Sequence, residues 1–217
     1  MPKISRNVLS NKVYAALKEM IANHRFQPGA RINVEKMSKE LEVSRTPVWE
    51  AVRRLQQEGL LENIPYRGVF MVEMTLERAL ELYQVREALE GLAARLSALY
   101  ANEKLLEKMT ETLENQLKVI EKGDLWGYSR SDFEFHGLIH KMSHNSVLQE
   151  MLESLKTKMQ PITMEVKPIL PRLYEDHLEI LEAIRSKDPE KCEKILRRHN
   201  RVVQNQIQKE IESLGGR

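Results

Sequence analysis

The sequence has a single cysteine and no long apolar run. Cys192 is the only cysteine among 217 residues, which excludes an intramolecular disulfide. No stretch approaches the about 20 uncharged apolar residues that cross a bilayer, and residues 1–10 lack the apolar segment of a secretion signal. We therefore expect a cytoplasmic protein that does not associate with a membrane, in which Cys192 is a small core residue.

Aspartate is absent from the first third of the chain. Residues 1–73 contain 12 lysines and arginines against 8 glutamates, whereas the whole chain has a formal net charge of +2. This uneven charge favours two domains, 1–73 and 74–217. A basic first domain is compatible with a polyanion as partner, although such an imbalance is too common among ordinary domains to establish one.

Three short helices are predicted in the first domain. Apolar residues recur every three or four positions over 8–22, as in an amphipathic helix. Asn33 can cap a second helix that runs to about Leu41, and Ser44 can cap a third. The short link between the second and third helices predicts a helix-turn-helix.

A β-hairpin is predicted after the third helix. Residues 60–64 and 69–72 are strand-like, and the turn between them contains Arg67 and Gly68. The order of helix, helix-turn-helix and hairpin is that of a winged helix, in which one helix can enter the major groove of DNA while the wing contacts the backbone or minor groove. A protein-interaction module stays open as an alternative, because winged helices also dock on proteins.

The second domain is predicted to be all-helical, which makes the fold mainly α. Long amphipathic segments follow one another with short links, and start signals such as Asn102 and Asn145 separate them. Short links favour an antiparallel six-helix bundle with room for a pocket between helices. The predicted helices are 76–100, 103–122, 125–142, 146–166, 171–186 and 189–212.

Four residues of the second domain form a candidate metal site. Asp132 and His136 are four residues apart, so they share one face of a helix. His177 and His199 lie on the apolar stripes of two further helices, where an imidazole needs a polar partner. A carboxylate with three imidazoles suits a divalent transition metal. Each histidine alone is more often an ordinary core or surface residue.

Two groups of motifs resemble a known family of bacterial regulators. The first domain resembles the GntR family, and the second resembles the FCD ligand-binding domain of the FadR subfamily. The residues that carry the first resemblance are Pro28-Gly29, 41–48 and 50–52; those that carry the second are 132–136, His144-Asn145, 177–180, Ala183-Ile184, Asp188 and His199.

The pattern and the resemblance together give roles to residues of the first domain. At the start of the third helix, Arg45 and Thr46 would meet phosphates or base edges, and Arg67 makes the tip of the wing basic. Gly68 matches the wing glycine of the family; its alternative is a turn residue that needs a positive φ. The family usually has an arginine where this chain has Trp49. Trp49 either packs against a sugar or a thymine methyl group or only covers the surface of the helix.

The resemblance also implies a ligand for the second domain. In many family members the residues that match Asp132, His136, His177 and His199 bind a metal ion, for which zinc or nickel is expected here. Arg86 resembles a family arginine that would hold a carboxylate; its alternative is an exposed ion pair with Glu90.

The expected protein is thus a homodimeric transcription regulator that binds a palindromic DNA operator and responds to a small organic acid. A metal-dependent hydrolase is one alternative, although Glu134 has the wrong helical phase for a general base. A metal that only locks the bundle is another. For His140 and His144, partial exposure is the preferred interpretation; for His140, a supporting contact to a metal-binding residue is the alternative.

Overall fold

The computed structural model describes residues 6–22, 25–159 and 169–215. Within these ranges the chain forms nine helices and one two-stranded hairpin, which confirms the predicted mainly α fold. It divides into two compact units, Met1–Met74 with Lys156–Ile162 and Thr75–Leu155 with Thr163–Arg217. The boundary between residues 73 and 74 stays a prediction. Among the described residues, no helix is long and apolar enough to cross a membrane.

The first unit is a winged helix. Asn33 caps α2 by accepting a hydrogen bond from the Lys36 backbone N–H at 2.9 Å. Ser44 occupies the N-cap position of α3, but its side chain makes no capping hydrogen bond. One face of α3 is buried through Val48, Val52 and Leu55. The elements are α1 (Arg6–Ala22), α2 (Val34–Glu40), α3 (Arg45–Gln57), β1 (Leu61–Ile64) and β2 (Gly68–Met71).

The hairpin is antiparallel, and Leu61 pairs with Met71 at its base. A short segment before α2 extends this pairing, because Ile32 N–H donates to the Val69 carbonyl at 2.8 Å. Gly68 has a φ of +104°, a conformation that L side chains rarely adopt. This glycine therefore shapes the turn of the wing.

The second unit is a helical bundle. Thr75, Asn102 and Asp124 each accept a backbone hydrogen bond at the start of a helix. The predicted helix 146–166 is described only to Met159, and its remainder lies outside the described residues. The helices are α4 (Leu76–Tyr100), α5 (Glu103–Glu121), α6 (Leu125–Met142), α7 (Ser146–Met159), α8 (Leu170–Arg185) and α9 (Pro189–Gly215).

The core of the bundle is formed where helices α4 to α9 meet, with Leu148 and Leu152 contributed by α7. Phe135, Met109 and Ile180 are fully buried there, together with Cys192. Burial raises the pKa of the Cys192 thiol to about 12, so it stays protonated. Helices α4 and α9 approach closely at Gly91, where a Cβ would lie 2.8 Å from Arg197 Nε. The polar residues described next lie within this bundle.

Candidate functional site

The bundle brings Asp132, His136, His177 and His199 together. One ligand atom from each lies within 4.8 Å of the others. Asp132 Oδ1 is 3.8 Å from His136 Nε2 and 3.5 Å from His177 Nε2. The His199 ring centroid lies 5.1 Å from that of His136 and 4.6 Å from that of His177. Helices α6, α8 and α9 therefore place all four predicted ligands at one point.

The far nitrogen of each imidazole faces another polar group. His136 Nδ1 lies 2.9 Å from Glu90 Oε1, and His177 Nδ1 lies 2.8 Å from Gln116 Oε1. Because an amide oxygen only accepts, His177 donates through Nδ1 and leaves Nε2 with a lone pair. His199 Nδ1 is 3.9 Å from Asp176 Oδ2, beyond hydrogen-bonding distance.

These residues fit a metal ion. His136 Nε2 and His177 Nε2 are buried without a hydrogen-bond partner, which is costly unless another ligand satisfies them. Burial, followed by the neighbouring imidazoles, lowers the pKa of His177 well below its ordinary value, and burial with His136 lowers the pKa of His199 in the same way. Neutral imidazoles with free lone pairs are the form that binds metals.

A buried carboxylate next to the four residues was missed from the sequence. Glu90 is fully buried, and its Oε1 lies 3.0 Å from Arg86 Nε and 3.1 Å from His140 Nε2. Its Oε2 accepts a hydrogen bond from Asn200 at 2.9 Å. Burial raises the pKa of Glu90, but the Arg86 guanidinium and the contacts with His136 and His140 outweigh burial and hold that pKa well below its usual range. Glu90 is therefore an ionised carboxylate inside the bundle.

Arg86 lies beside the four residues and also forms an ion pair with Glu90. Only 7% of its side chain is exposed, so the ion pair considered from the sequence forms in the interior and not on the surface. Arg86 Nη2 lies 4.0 Å from Asp132 Oδ2. One edge of the guanidinium thus binds Glu90 while another nitrogen faces Asp132.

Two tyrosines, the buried Tyr128 and the half-buried Tyr83, complete the surroundings of Asp132. Tyr128 Oη donates a hydrogen bond to Asp132 Oδ1 at 3.3 Å. The Arg86 guanidinium lies 5.5 Å from the centroid of the Tyr83 ring. Burial raises the pKa of both phenols, with Asp132 adding to the effect, so both hydroxyls keep their protons.

His140 on α6 and His144 just after it differ in burial. His144 is exposed, as preferred from the sequence. His140 keeps 14% of its side chain exposed, yet it contacts the buried Glu90 and so belongs to the polar interior. Glu134 is half-exposed and pairs with Lys108 at 3.6 Å, so it points away from the four residues.

The predicted DNA-contacting residues of α3 are on its exposed side. The Arg45 side chain is 65% exposed and pairs with Glu35 at 3.0 Å. Trp49 is 41% exposed and lies outside the buried stripe. An open depression of about 500 Å³ is lined by Thr46, Trp49, Glu50 and Arg53. The exposed side of α3 thus carries polar, charged and aromatic side chains.

The wing presents a basic and aromatic tip. Arg67 is exposed, with its guanidinium 5.2 Å from the centroid of the Phe70 ring. Tyr66, which sequence reasoning did not single out, is fully exposed and has a φ of +61°. Its place beside Gly68 in a turn was the available signal.

Family models match both parts of the chain. Residues 9–71 match "Bacterial regulatory proteins, gntR family", and residues 81–202 match "FCD domain". The Bacillus subtilis regulator YdhC is 37% identical over 141 residues, which are 64% of this chain and 63% of that protein. The Escherichia coli repressor RspR is 24% identical over 92% of this chain and 89% of its own length.

Solved structures agree with these matches. The structure of Escherichia coli McbR superimposes with a TM-score of 0.81 at 25% identity and covers 94% of this chain and 98% of that one. A Rhodococcus regulator superimposes with a TM-score of 0.79 at 22% identity, over 91% and 96% of the two chains. These relatives are transcriptional regulators and not enzymes, which argues against the hydrolase considered above. The chain therefore belongs to the GntR family of bacterial transcriptional regulators and carries an FCD domain after its winged helix.

Proposed function

We propose that this regulator binds its operator with an affinity controlled by a small carboxylate effector at a metal site formed by Asp132, His136, His177 and His199. The observation that carries the proposal is the convergence of four ligand atoms within 4.8 Å, two of them buried nitrogens without partners. Such atoms are rare in folded proteins unless a ligand satisfies them.

The donor set favours zinc or nickel as the ion. Imidazoles suit these metals better than they suit magnesium or calcium. Four protein ligands leave room for an exogenous oxygen ligand when the ion accepts more than four. Arg86 would bind the carboxylate of such a ligand, and the 4.0 Å between its Nη2 and Asp132 Oδ2 supports this role. The bound ion would supply positive charge to hold the effector.

The DNA-binding part of the proposal uses the exposed side of α3 and the wing. Arg45, Thr46 and Trp49 would enter the major groove, while Arg67 and Gly68 would contact the backbone or minor groove. We place this DNA-binding domain at 1–73 and the effector domain at 74–217. The exposure of Arg45 and Arg67 supports these roles, because a phosphate contact needs a cation that DNA can reach. Arg45 would exchange its exposed ion pair with Glu35 for such a contact.

A homodimer is part of the same proposal. Helix α4 exposes Val85, Leu92 and Leu99, which are 50%, 41% and 57% accessible. These apolar residues are spaced by seven, the repeat of a helix that pairs with another helix. A two-fold dimer through α4 would match the two half-sites of a palindromic operator. Sedimentation equilibrium of the full chain tests this assembly.

The metal is tested by elemental analysis of purified protein and of the His177→Ala, His199→Ala double variant. We expect about one zinc or nickel per chain in the parent and almost none in the double variant. His144→Ala is the matched control, because it removes an exposed histidine and should leave the metal content unchanged. Equal metal in the parent and the double variant, or none in either after reloading, would falsify the site.

A metal that only locks the bundle is the second candidate, favoured by the burial of His136, His177 and His199 at 2% exposure or less. Measurements of operator affinity distinguish an effector-binding metal from a purely structural one. For an effector site, removal of the metal or addition of a candidate acid changes the affinity. For a structural metal, acids have no effect on operator binding at any metal content.

A further inference from the structure

We propose that Glu90 is a positioning residue that holds the proton of His136 on Nδ1 and so presents Nε2 of that imidazole to the metal. This inference rests on the proposed metal site and adds to it the residue that fixes the orientation and tautomer of one ligand. Metal-binding histidines commonly donate their other ring N–H to a carboxylate, which also raises the basicity of the ligand nitrogen.

The contacts of Glu90 carry the argument. His136 Nδ1 lies 2.9 Å from Glu90 Oε1, although the two groups lack the alignment of a hydrogen bond. Both side chains are 1% exposed, so no solvent competes for this nitrogen. An ionised carboxylate can only accept hydrogen bonds. A ring nitrogen at this distance from the carboxylate is favoured in its N–H form, because a lone pair there would be repelled by the negative charge. In a neutral ring, a proton on Nδ1 leaves the lone pair on Nε2, which is the nitrogen 3.8 Å from Asp132.

Glu90 is itself held in place from three helices. Arg86 on α4 contacts Oε1 at 3.0 Å, His140 on α6 contacts the same oxygen at 3.1 Å, and Asn200 on α9 donates to Oε2 at 2.9 Å. These donors keep the carboxylate ionised in the interior and leave it little freedom to rotate. The Glu90 carboxylate is therefore rigid enough to fix the orientation of the His136 ring.

Glu90, His136 and His140 could also be considered as a second metal site, because their ligand atoms lie within 4.8 Å of one another. The position of Arg86 argues against this. Its Nε is 3.0 Å from the same Glu90 oxygen, so a metal ion there would lie next to a guanidinium charge in a buried environment. The guanidinium occupies the place of a cation, and Glu90 acts through His136 instead.

The three imidazoles differ in the group that faces the ring nitrogen pointing away from the proposed metal. His177 faces the neutral amide of Gln116, and His199 is 3.9 Å from Asp176. Within the described residues, His136 is the ligand whose far nitrogen meets a buried carboxylate at hydrogen-bonding distance. Removal of the Glu90 charge should therefore weaken metal binding more than a substitution that only disturbs the packing of α4.

The first test is the tautomer of His136 in the metal-free parent protein. Long-range ¹H–¹⁵N correlation spectra above pH 7.5, with the ring assigned through His136→Gln, distinguish a proton on Nδ1 from one on Nε2. We expect the Nδ1–H form in the parent and a loss of that preference in Glu90→Ala. An Nε2–H ring in the parent would overturn the proposal. This readout needs no metal and no active protein.

The second test is the affinity for Zn²⁺, measured by competition with a chromophoric chelator on the full chain. Glu90→Gln keeps the shape of the side chain and removes its charge; we expect Zn²⁺ to bind about 10- to 100-fold more weakly. Glu87→Gln is the matched control. Glu87 also lies on α4 and accepts hydrogen bonds from Arg201 and Gln204 of α9, both at 2.9 Å, without contacting a predicted ligand.

The two variants distinguish positioning from packing. Glu87→Gln should lower the melting temperature and leave the Zn²⁺ affinity within about twofold of the parent. Equal losses of affinity in both variants would contradict a specific role for Glu90, as would no loss in either. If the parent itself fails to bind Zn²⁺ or Ni²⁺, the proposed metal site is wrong, whereas the tautomer of His136 still decides whether Glu90 orients that ring.

Discussion

His177 should be replaceable by leucine at almost no cost to the metal-free protein. Its side chain is fully buried, and its ring centroid lies 4.5 Å from that of Phe135. Its Nε2 has no partner, while its Nδ1 donates to Gln116. The imidazole therefore makes one hydrogen bond and leaves one polar atom unsatisfied.

The two effects of His177→Leu are opposite in sign and similar in size. Removal of a buried polar atom without a partner recovers about 1–3 kcal/mol, and the loss of the donor to Gln116 Oε1 costs about 1–3 kcal/mol. We expect the free energy of unfolding to change by less than about 1 kcal/mol. Gln116→Leu alone leaves His177 Nδ1 unpaired but also removes the unpartnered Gln116 Nε2, so it too should change the free energy of unfolding by less than about 1 kcal/mol. The double variant leaves neither partner unpaired and should be more stable than Gln116→Leu by about 1–3 kcal/mol.

Bound metal should make the parent more stable than the variants that lack His177. At a free Zn²⁺ concentration 100 times the dissociation constant, binding to the folded state adds about 2.7 kcal/mol. For a chain of this size that corresponds to a rise in melting temperature of about 5–11 °C. The parent should show this rise, and the variants without His177 should show little of it.

Urea unfolding in EDTA and calorimetry with and without Zn²⁺ measure these quantities on the same four proteins. A loss above about 3 kcal/mol for His177→Leu without metal would show that the imidazole stabilises the fold by itself. A full melting-temperature rise in His177→Leu with Zn²⁺ would show that His177 is not a ligand. Either result refutes the reasoning.

Three further predictions concern DNA and pH. Arg45→Ala and Arg67→Ala should weaken operator binding, and each lost phosphate contact should reduce the salt slope by about one; unchanged affinity in both would exclude groove docking. Trp49→Arg should alter the sites selected from random DNA and leave the melting temperature unchanged, since Trp49 lies off the buried stripe. Without metal, the free energy of unfolding should fall as pH drops below about 6.5, because the unfolded chain protonates His177 and His199 where the folded chain, with lowered histidine pKa values, does not; urea titrations should show up to about 1.4 kcal/mol per pH unit for each histidine.

Features set by short-range sequence signals were predictable. Helix α4 begins after Thr75 and α5 after Asn102, where a short polar side chain accepts the first backbone hydrogen bond. The pairing of Asp132 with His136 follows from helical geometry alone. The convergence of their helix with those of His177 and His199 does not follow from spacing, and the family resemblance supplied it.

The role of Glu90 was not predictable from spacing, because its contacts come from residues 50 and 110 positions away along the chain. A helical pattern shows that Arg86 and Glu90 can pair, but not that α6 and α9 cover the pair. One signal was available. Leu82, Arg86, Glu90 and Ala93 form a single stripe on α4, and its apolar ends are buried. Charged residues between buried apolar positions are themselves expected to be buried and paired.

That burial bears on the chemistry of the effector. Arg86 and Glu90 neutralise each other, so they add no net charge to the proposed site. As metal ligands the three histidines would be neutral, because a protonated imidazole has no lone pair for the ion, and Asp132 would contribute a single negative charge. With a divalent ion bound, the site would retain one positive charge in a water-poor interior, where an uncompensated charge is costly. A monoanionic ligand would cancel that charge and a neutral one would not, so the charges of the described residues favour a monoanion, the class to which the proposed carboxylate effector belongs.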